Sequence, residues 1–177
     1  MAKSKSKSKK RPNKNLPPAY TWLIDLKKTD LPIYLLHGEE SMFSQQAAEW
    51  LQQRGLGTGI ADFNLDRFDA SEGQFSVSAL LNALNTQPMM NDKRVVRLQA
   101  AELLNKVPKT KLGELIQYCA APNPHTCFIL EARDRLDQTR ALMKALNKSE
   151  YLVCRLLLAK SSSQVDFWLE SEAKRLN

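Results

Sequence analysis

This chain of 177 residues is poor in the residue types that mark metal and disulfide sites. Its three cysteines, Cys119, Cys127 and Cys154, are odd in number and form no C-x-x-C pair. That argues against a secreted disulfide scaffold and for buried free thiols. The two histidines, His37 and His125, have no cysteine or second histidine close by in sequence, so no metal-ligand spacing exists. No metal or cofactor is expected. No run of about 18 apolar residues occurs, so no membrane span is predicted. The basic N-terminus has no apolar segment behind it, which excludes a secretory signal and makes the expected location cytoplasmic. The glycine patterns G-x-G-x-x-G and G-x-x-x-x-G-K-[ST] are missing, as is the G-x-S-x-G nucleophile elbow.

What is present is ordinary globular composition, with 43% hydrophobic and 25% charged residues. The formal net charge of +7 is local. Lys3, Lys5, Lys7, Lys9, Lys10, Arg11 and Lys14 stand in the first 15 residues without one acid. Taking those seven from the 26 basic residues leaves 19, equal to the 19 acidic ones. The body is therefore neutral, and the basic character belongs to a tail. Residues 1–18, a Lys/Ser tract closed by Leu16-Pro17-Pro18, have too few apolar groups to pack and are predicted to be disordered. Such a tail can touch DNA or an acidic surface by charge, or serve only as a solubilising extension.

Beyond the tail, strands and helices alternate. Ile33–His37 is a short apolar run that suits a buried strand. A helix capped by Ser41 follows through Arg54, with Phe43, Ala47, Trp50 and Leu51 on one face. Residues 62–68 alternate with period two and predict a strand. Val77, Leu80, Leu81 and Leu84 form a helical stripe. Strands are predicted at 94–98, 126–130 and 151–154, with helices at 108–121, after Asp137, and after Ser161–Ser163. The order predicts an α/β fold, a five-stranded, mostly parallel sheet with helices on both faces. The domain expected is 19–160. Residues 161–177 carry a live helical pattern up to the last residue, as expected of the first helix of a second, truncated domain.

The first strand-to-helix turn is where such sheets cradle phosphate. Here Gly38-Glu39-Glu40-Ser41 offers one glycine, no lysine and two carboxylates that repel a triphosphate. It is a degenerate phosphate loop, not expected to bind nucleotide. The carboxylate pairs Asp62/Asp66 and Asp134/Asp137 each neighbour arginines and read as solvated charges or helix caps. His37 reads as a structural histidine without a visible catalytic partner.

One feature resists a purely structural reading. Met89 and Met90 stand side by side in a turn after Pro88 and before Asn91-Asp92-Lys93-Arg94. Two adjacent side chains in a turn rarely both face the core. Methionine moulds itself to varied partner surfaces, so the pair suits a wedge for another protein's pocket. The alternative is that one methionine caps the core beneath the Leu80/Leu84 helix.

Several strings in fixed order now carry a resemblance: Tyr34-Leu35-Leu36-His37-Gly38-Glu39-Glu40, Asp62-Phe63-Asn64, Phe68-Asp69, Thr86 through Val96, and Trp168-Leu169 with Ala173. Together they resemble the delta subunit family of the bacterial DNA polymerase III clamp loader. The resemblance covers residues 31–177 and leaves the tail outside. It implies an AAA+-like domain whose nucleotide site is lost, with no intrinsic catalytic activity. It implies a role in DNA replication, binding and opening the beta sliding clamp. The clamp-binding residues it implies are Met89 and Met90, next to Pro88. Many members have an aromatic at the second place, from which Met90 departs. Trp168 matches the start of a small helical lid domain. Other loader subunits, the ATPase subunits and delta prime, are the partners implied for a full-length chain.

Two rival readings stand beside it. A divergent nucleotide-dependent phosphotransferase would need a phosphate cradle that the sequence lacks. A nucleic-acid-binding protein would act through its tail, with Arg140, Lys144 and Lys148, four apart on one helix, extending the basic surface.

Overall fold

The computed structural model describes residues 30–38, 41–58, 60–134, 137, 140–146, 151–155 and 173. Strands β1 (Ile33–His37), β2 (Leu65–Asp69), β3 (Arg94–Gln99), β4 (Thr126–Ala132) and β5 (Tyr151–Arg155) form one sheet in the order β2-β3-β4-β1-β5. Every pairing is parallel. Helices α1 (Ser41–Leu56), α2 (Ala61–Asn64, a single turn), α3 (Val77–Asn85), α4 (Gly113–Ala120) and α5 (Ala141–Leu146) lie between the strands, with a 3₁₀ helix at Ala101–Lys106.

Side-chain alternation along the strands divides the core into two layers. Tyr34 and Leu36 of β1, Val95 of β3 and Cys127 and Ile129 of β4 pack under Phe43, Ala47, Ala48 and Leu51 of α1. The opposite parity, Ile33, Leu35, Val96, Leu98, Phe128 and Leu130, packs against Leu80 and Leu84 of α3, Leu115 and Cys119 of α4 and Leu142, Met143 and Leu146 of α5. Each fully buried leucine or isoleucine contributes about 1.5–3 kcal/mol of transfer free energy. Tyr118 and Phe128 meet edge to face, ring centroids 6.3 Å apart at 76°. The parallel α/β reading thus holds, with helices on both faces.

Some boundaries differ from those predicted. The period-two stretch 62–68 is a helical turn through Asn64 before β2 begins at Leu65. A tertiary contact overrides the alternation there, as described below. The helix predicted from Pro108 is a turn, in which the Pro108 carbonyl accepts from the Lys111 and Leu112 amides, and α4 proper starts at Gly113. Helix α1 continues past Arg54 and takes in Gly55. A Cβ on Gly55 would stand 2.7 Å from the Val95 side chain, so the missing Cβ is what lets the last turn of α1 lie against β3. Gly57, with φ +53°, then ends the helix in the left-handed conformation. The tail at 1–18, the segment 161–177 apart from Ala173, and Lys148 lie outside the described residues.

Two outcomes follow from this packing. Gly55→Val should lower unfolding free energy by about 2 kcal/mol through overpacking against Val95, seen as a lower urea midpoint with an unchanged slope. Burial pushes the Cys119 and Cys127 thiols up to about 12. Both should therefore resist iodoacetamide at pH 8 in the folded protein and label in urea, read by peptide mass mapping. Because the folded chain keeps protons that the unfolded chain releases above 9.0, stability should also fall as pH rises from 9 toward 12.

Candidate functional site

A parallel sheet has two chemically distinct ends. The Gly38 turn lies at the C-terminal end of β1, and the methionine turn lies before the N-terminal end of β3. A five- to six-residue strand separates them by roughly 17–20 Å.

The methionine turn begins where α3 stops. The Asn85 amide donates to the Leu81 carbonyl at 2.9 Å and the Thr86 hydroxyl to the Asn82 carbonyl at 2.7 Å, closing the helix before Pro88. Met89 is 53% exposed and Met90 is 89% exposed, so neither is the core cap that the sequence allowed. Pro88 is half-buried and lines a cleft of about 970 Å³ with Pro32, Pro122, Pro124 and His125. Met90 takes φ +55°, a left-handed conformation that costs a non-glycine residue about 1–2 kcal/mol. Such a conformation persists only where the surroundings fix it.

Those surroundings are visible. Asn64 is completely buried and its side-chain amide grips Met89 twice: Nδ2 donates to the Met89 carbonyl at 2.8 Å, and Oδ1 accepts from the Met89 N–H at 2.7 Å. The same Nδ2 reaches the Ile60 carbonyl at 3.2 Å. On the far side of the turn, the Asn91 amide donates to the Lys93 carbonyl at 2.7 Å, and the Lys93 ammonium pairs with Asp30. Arg94 then holds Asp66 at 2.6 Å and donates to the Phe63 carbonyl at 2.8 Å. Asn64 stood in the predicted strand 62–68, where it fits the polar half of the alternation, and in a string of the resemblance, so its bond to Met89 left no local signal.

At the opposite end, Arg97 of β3 and Glu131 of β4 form a buried bidentate ion pair, with bonds of 2.9 and 3.1 Å. Arg97 also donates to the Gln52 side-chain oxygen of α1 at 3.0 Å, which accepts from Arg67 at 3.1 Å as well. This network borders a polar cavity of about 700 Å³ that includes Gly38. Its buried charges, Arg97 and Glu131, neutralise each other. Glu39 and Glu40 are outside the described residues, as is the Ser41 side chain. His37 is buried at the end of β1.

Of the basic residues singled out on α5, Arg140 and Lys144 are exposed. They rim a groove of about 340 Å³ floored by Val107, Leu112, Ile116 and Leu142. Arg140 also faces Asp137 at 3.5 Å. Among the described residues, no helix is long and apolar enough to cross a membrane.

The fold and its two ends define a parallel α/β domain whose most exposed apolar groups sit on a fastened turn. Comparison with known proteins gives that domain a family. The sequence profile described as "DNA polymerase III, delta subunit" matches residues 34–155. The DNA polymerase III subunit delta of Bacillus subtilis (strain 168) is 30% identical over 135 residues, covering 72% of this chain and 38% of that protein. A solved structure, the Bacillus subtilis DNA clamp loader delta protein (YqeN), superimposes with a TM-score of 0.71 at 25% identity, covering 86% of this chain and 46% of that one. A Thermotoga maritima DNA polymerase III gamma subunit-related protein shares the fold, with a TM-score of 0.56 at 13% identity, covering 86% of this chain and 49% of its own. The chain belongs to the DNA polymerase III delta subunit family of clamp loader proteins in DNA replication. Delta homologues are accessory components of the clamp loader and not catalytic ones. The chain spans less than half the length of these Bacillus relatives.

The buried ion pair yields a test of its own. Glu131→Gln removes the whole negative charge and one of the two acceptor oxygens that face the buried Arg97 guanidinium, and should cost about 3 kcal/mol in urea unfolding. A loss under about 0.5 kcal/mol would show that water or another acid compensates Arg97.

Proposed function

We propose that this domain is the clamp-contacting part of a delta subunit, and that Met89 and Met90, flanked by Pro88, insert into an apolar pocket of the beta sliding clamp. The observation that carries the reading is the exposure of both methionines on a turn whose backbone is fixed from both sides. Large apolar side chains exposed in a cluster mark interaction sites, and a prefixed backbone lowers the ordering cost of binding. Membership of the delta family favours the sliding clamp as that partner.

Opening follows by population shift. A wedge moves a ring between closed and open states only by its differential affinity for the two. The methionine pair therefore fits the pocket as it stands in the open-competent clamp better than in the closed ring. No hydrolysis by this chain enters the scheme. Arg97 is paired with Glu131 and bonded to Gln52 beside the cavity at that end of the sheet, which leaves its charge compensated. Energy from ATP enters through partner ATPase subunits. Assembly with those subunits and with delta prime falls to the family's length beyond this domain, and any contact with DNA is indirect or weak. The site of action is the bacterial cytoplasm.

The double variant Met89→Ala/Met90→Ala decides the matter in surface plasmon resonance against immobilised clamp. Hot-spot side chains contribute about 2 kcal/mol or more, so affinity should fall at least roughly 30-fold. Unchanged affinity would overturn the assignment.

A further inference from the structure

Among the described residues, the large apolar side chains that stand exposed are Met42, Ile60, Phe63, Met89 and Met90. Met42 is in the first turn of α1, at the C-terminal end of β1. The other four belong to the segments that Asn64 ties together. Ile60 is 53% exposed and Phe63 is 52% exposed, both on the turn that leads into β2. A surface turn has no folding reason to expose an aromatic and a β-branched side chain beside two methionines.

The tie is a single amide group. Asn64 Nδ2 bonds the carbonyls of both Ile60 and Met89, so the two turns meet within reach of one nitrogen atom. Arg94, from the start of β3, donates to the Phe63 carbonyl and pairs with Asp66, which pins the same turn from its other side. Arg94 and Asp66 satisfy each other's charge, so that flank of the patch is polar and neutral, while Asp62, between Ile60 and Phe63, adds one exposed carboxylate. Apolar side chains with a polar rim are the anatomy of a protein-binding surface.

We propose that Ile60 and Phe63 join Met89 and Met90 in one preformed docking face for the sliding clamp, with Asn64 as the positioning residue that holds the two turns in register. This rests on the reading that the methionine turn docks on the clamp, and it extends the contact to a second turn of the chain. Asn64 itself does not touch the partner. It fixes the backbone so that the four side chains are presented together, which lowers the ordering cost of binding.

The test uses the full chain and purified sliding clamp, with affinity read by surface plasmon resonance. Ile60→Ala and Phe63→Ala should each weaken binding roughly tenfold. Met42→Ala, an equally apolar exposed change at the other end of the sheet, should leave it unchanged. Asn64→Ala should weaken binding and lose protection of the Met89 amide in hydrogen exchange. Its effect should also be non-additive with Met89→Ala/Met90→Ala, which a general loss of stability would not produce. If the methionine variant loses affinity while Ile60→Ala and Phe63→Ala do not, the shared face is overturned and methionine docking stands. If the methionine variant loses nothing, docking itself is overturned and the shared face with it.

Discussion

Parallel strands bury both faces of their sheet, because the chain must cross back over one face before each new strand can start. Here α1 covers one face, and α3, α4, α5 and the 3₁₀ helix cover the other. With both faces occupied, the places left for chemistry are the two ends where the connections turn. The C-terminal end is bound up by Arg97, Glu131 and Gln52. The N-terminal end carries the methionine turn. The polarity of the sheet therefore separates a self-satisfied end from an outward-facing one. The proposed docking uses the second.

The C-terminal end of the sheet keeps its buried cation paired. A phosphate cradle needs free backbone N–H groups and an unspent cation at the end of the strands. Arg97 offers a cation, but it is held bidentately by Glu131 and again by Gln52, and both charges are almost fully buried. A buried pair of this kind contributes little net stability compared with apolar residues of the same size, yet losing one partner is costly. The pair is best understood as fixing the relative position of β3, β4 and α1.

Much of this was legible in the sequence, and what was not has a common cause. The apolar runs at 33–37 and 126–130 placed β1 and β4, because continuous burial leaves a continuous apolar record. The stripe at Val77, Leu80, Leu81 and Leu84 placed α3 for the same reason. The failures fall on polar residues whose partners are distant in sequence. Asn64 bonds Met89, 25 residues on, and so turns an apparent strand start into a helical turn. Glu131 extends β4 beyond its apolar run because Arg97, 34 residues earlier, neutralises it. The helix predicted to end at Arg54 runs on through Gly55, whose missing Cβ makes room for Val95. Periodicity records burial against an apolar layer and says nothing of a single long-range polar bond. The candidate site was half legible accordingly. Met89 and Met90 are conspicuous as a pair, whereas Phe63 passes for an apolar member of the predicted strand 62–68 and Ile60 stands just before it.

The methionine turn combines two properties that seem opposed. Its side chains are unbranched and adaptable, suited to a pocket whose shape changes. Its backbone is the reverse: Asn64 fixes Met89, Asn91 bonds back to Lys93, and Met90 is held left-handed. In the proposed docking, a partner that alternates between closed and open states would reward this division. If the backbone also yielded, the wedge would follow the closed pocket as readily as the open one, and its differential affinity would vanish. If the side chains were rigid, they would fit one pocket geometry and resist engagement on the way to it. A stiff frame carrying soft tips lets contact form early and lets the frame discriminate afterwards. The strain at Met90 belongs to the frame, and it is tolerable because a buried amide with no exposed surface bonds both polar atoms of the preceding peptide unit's residue.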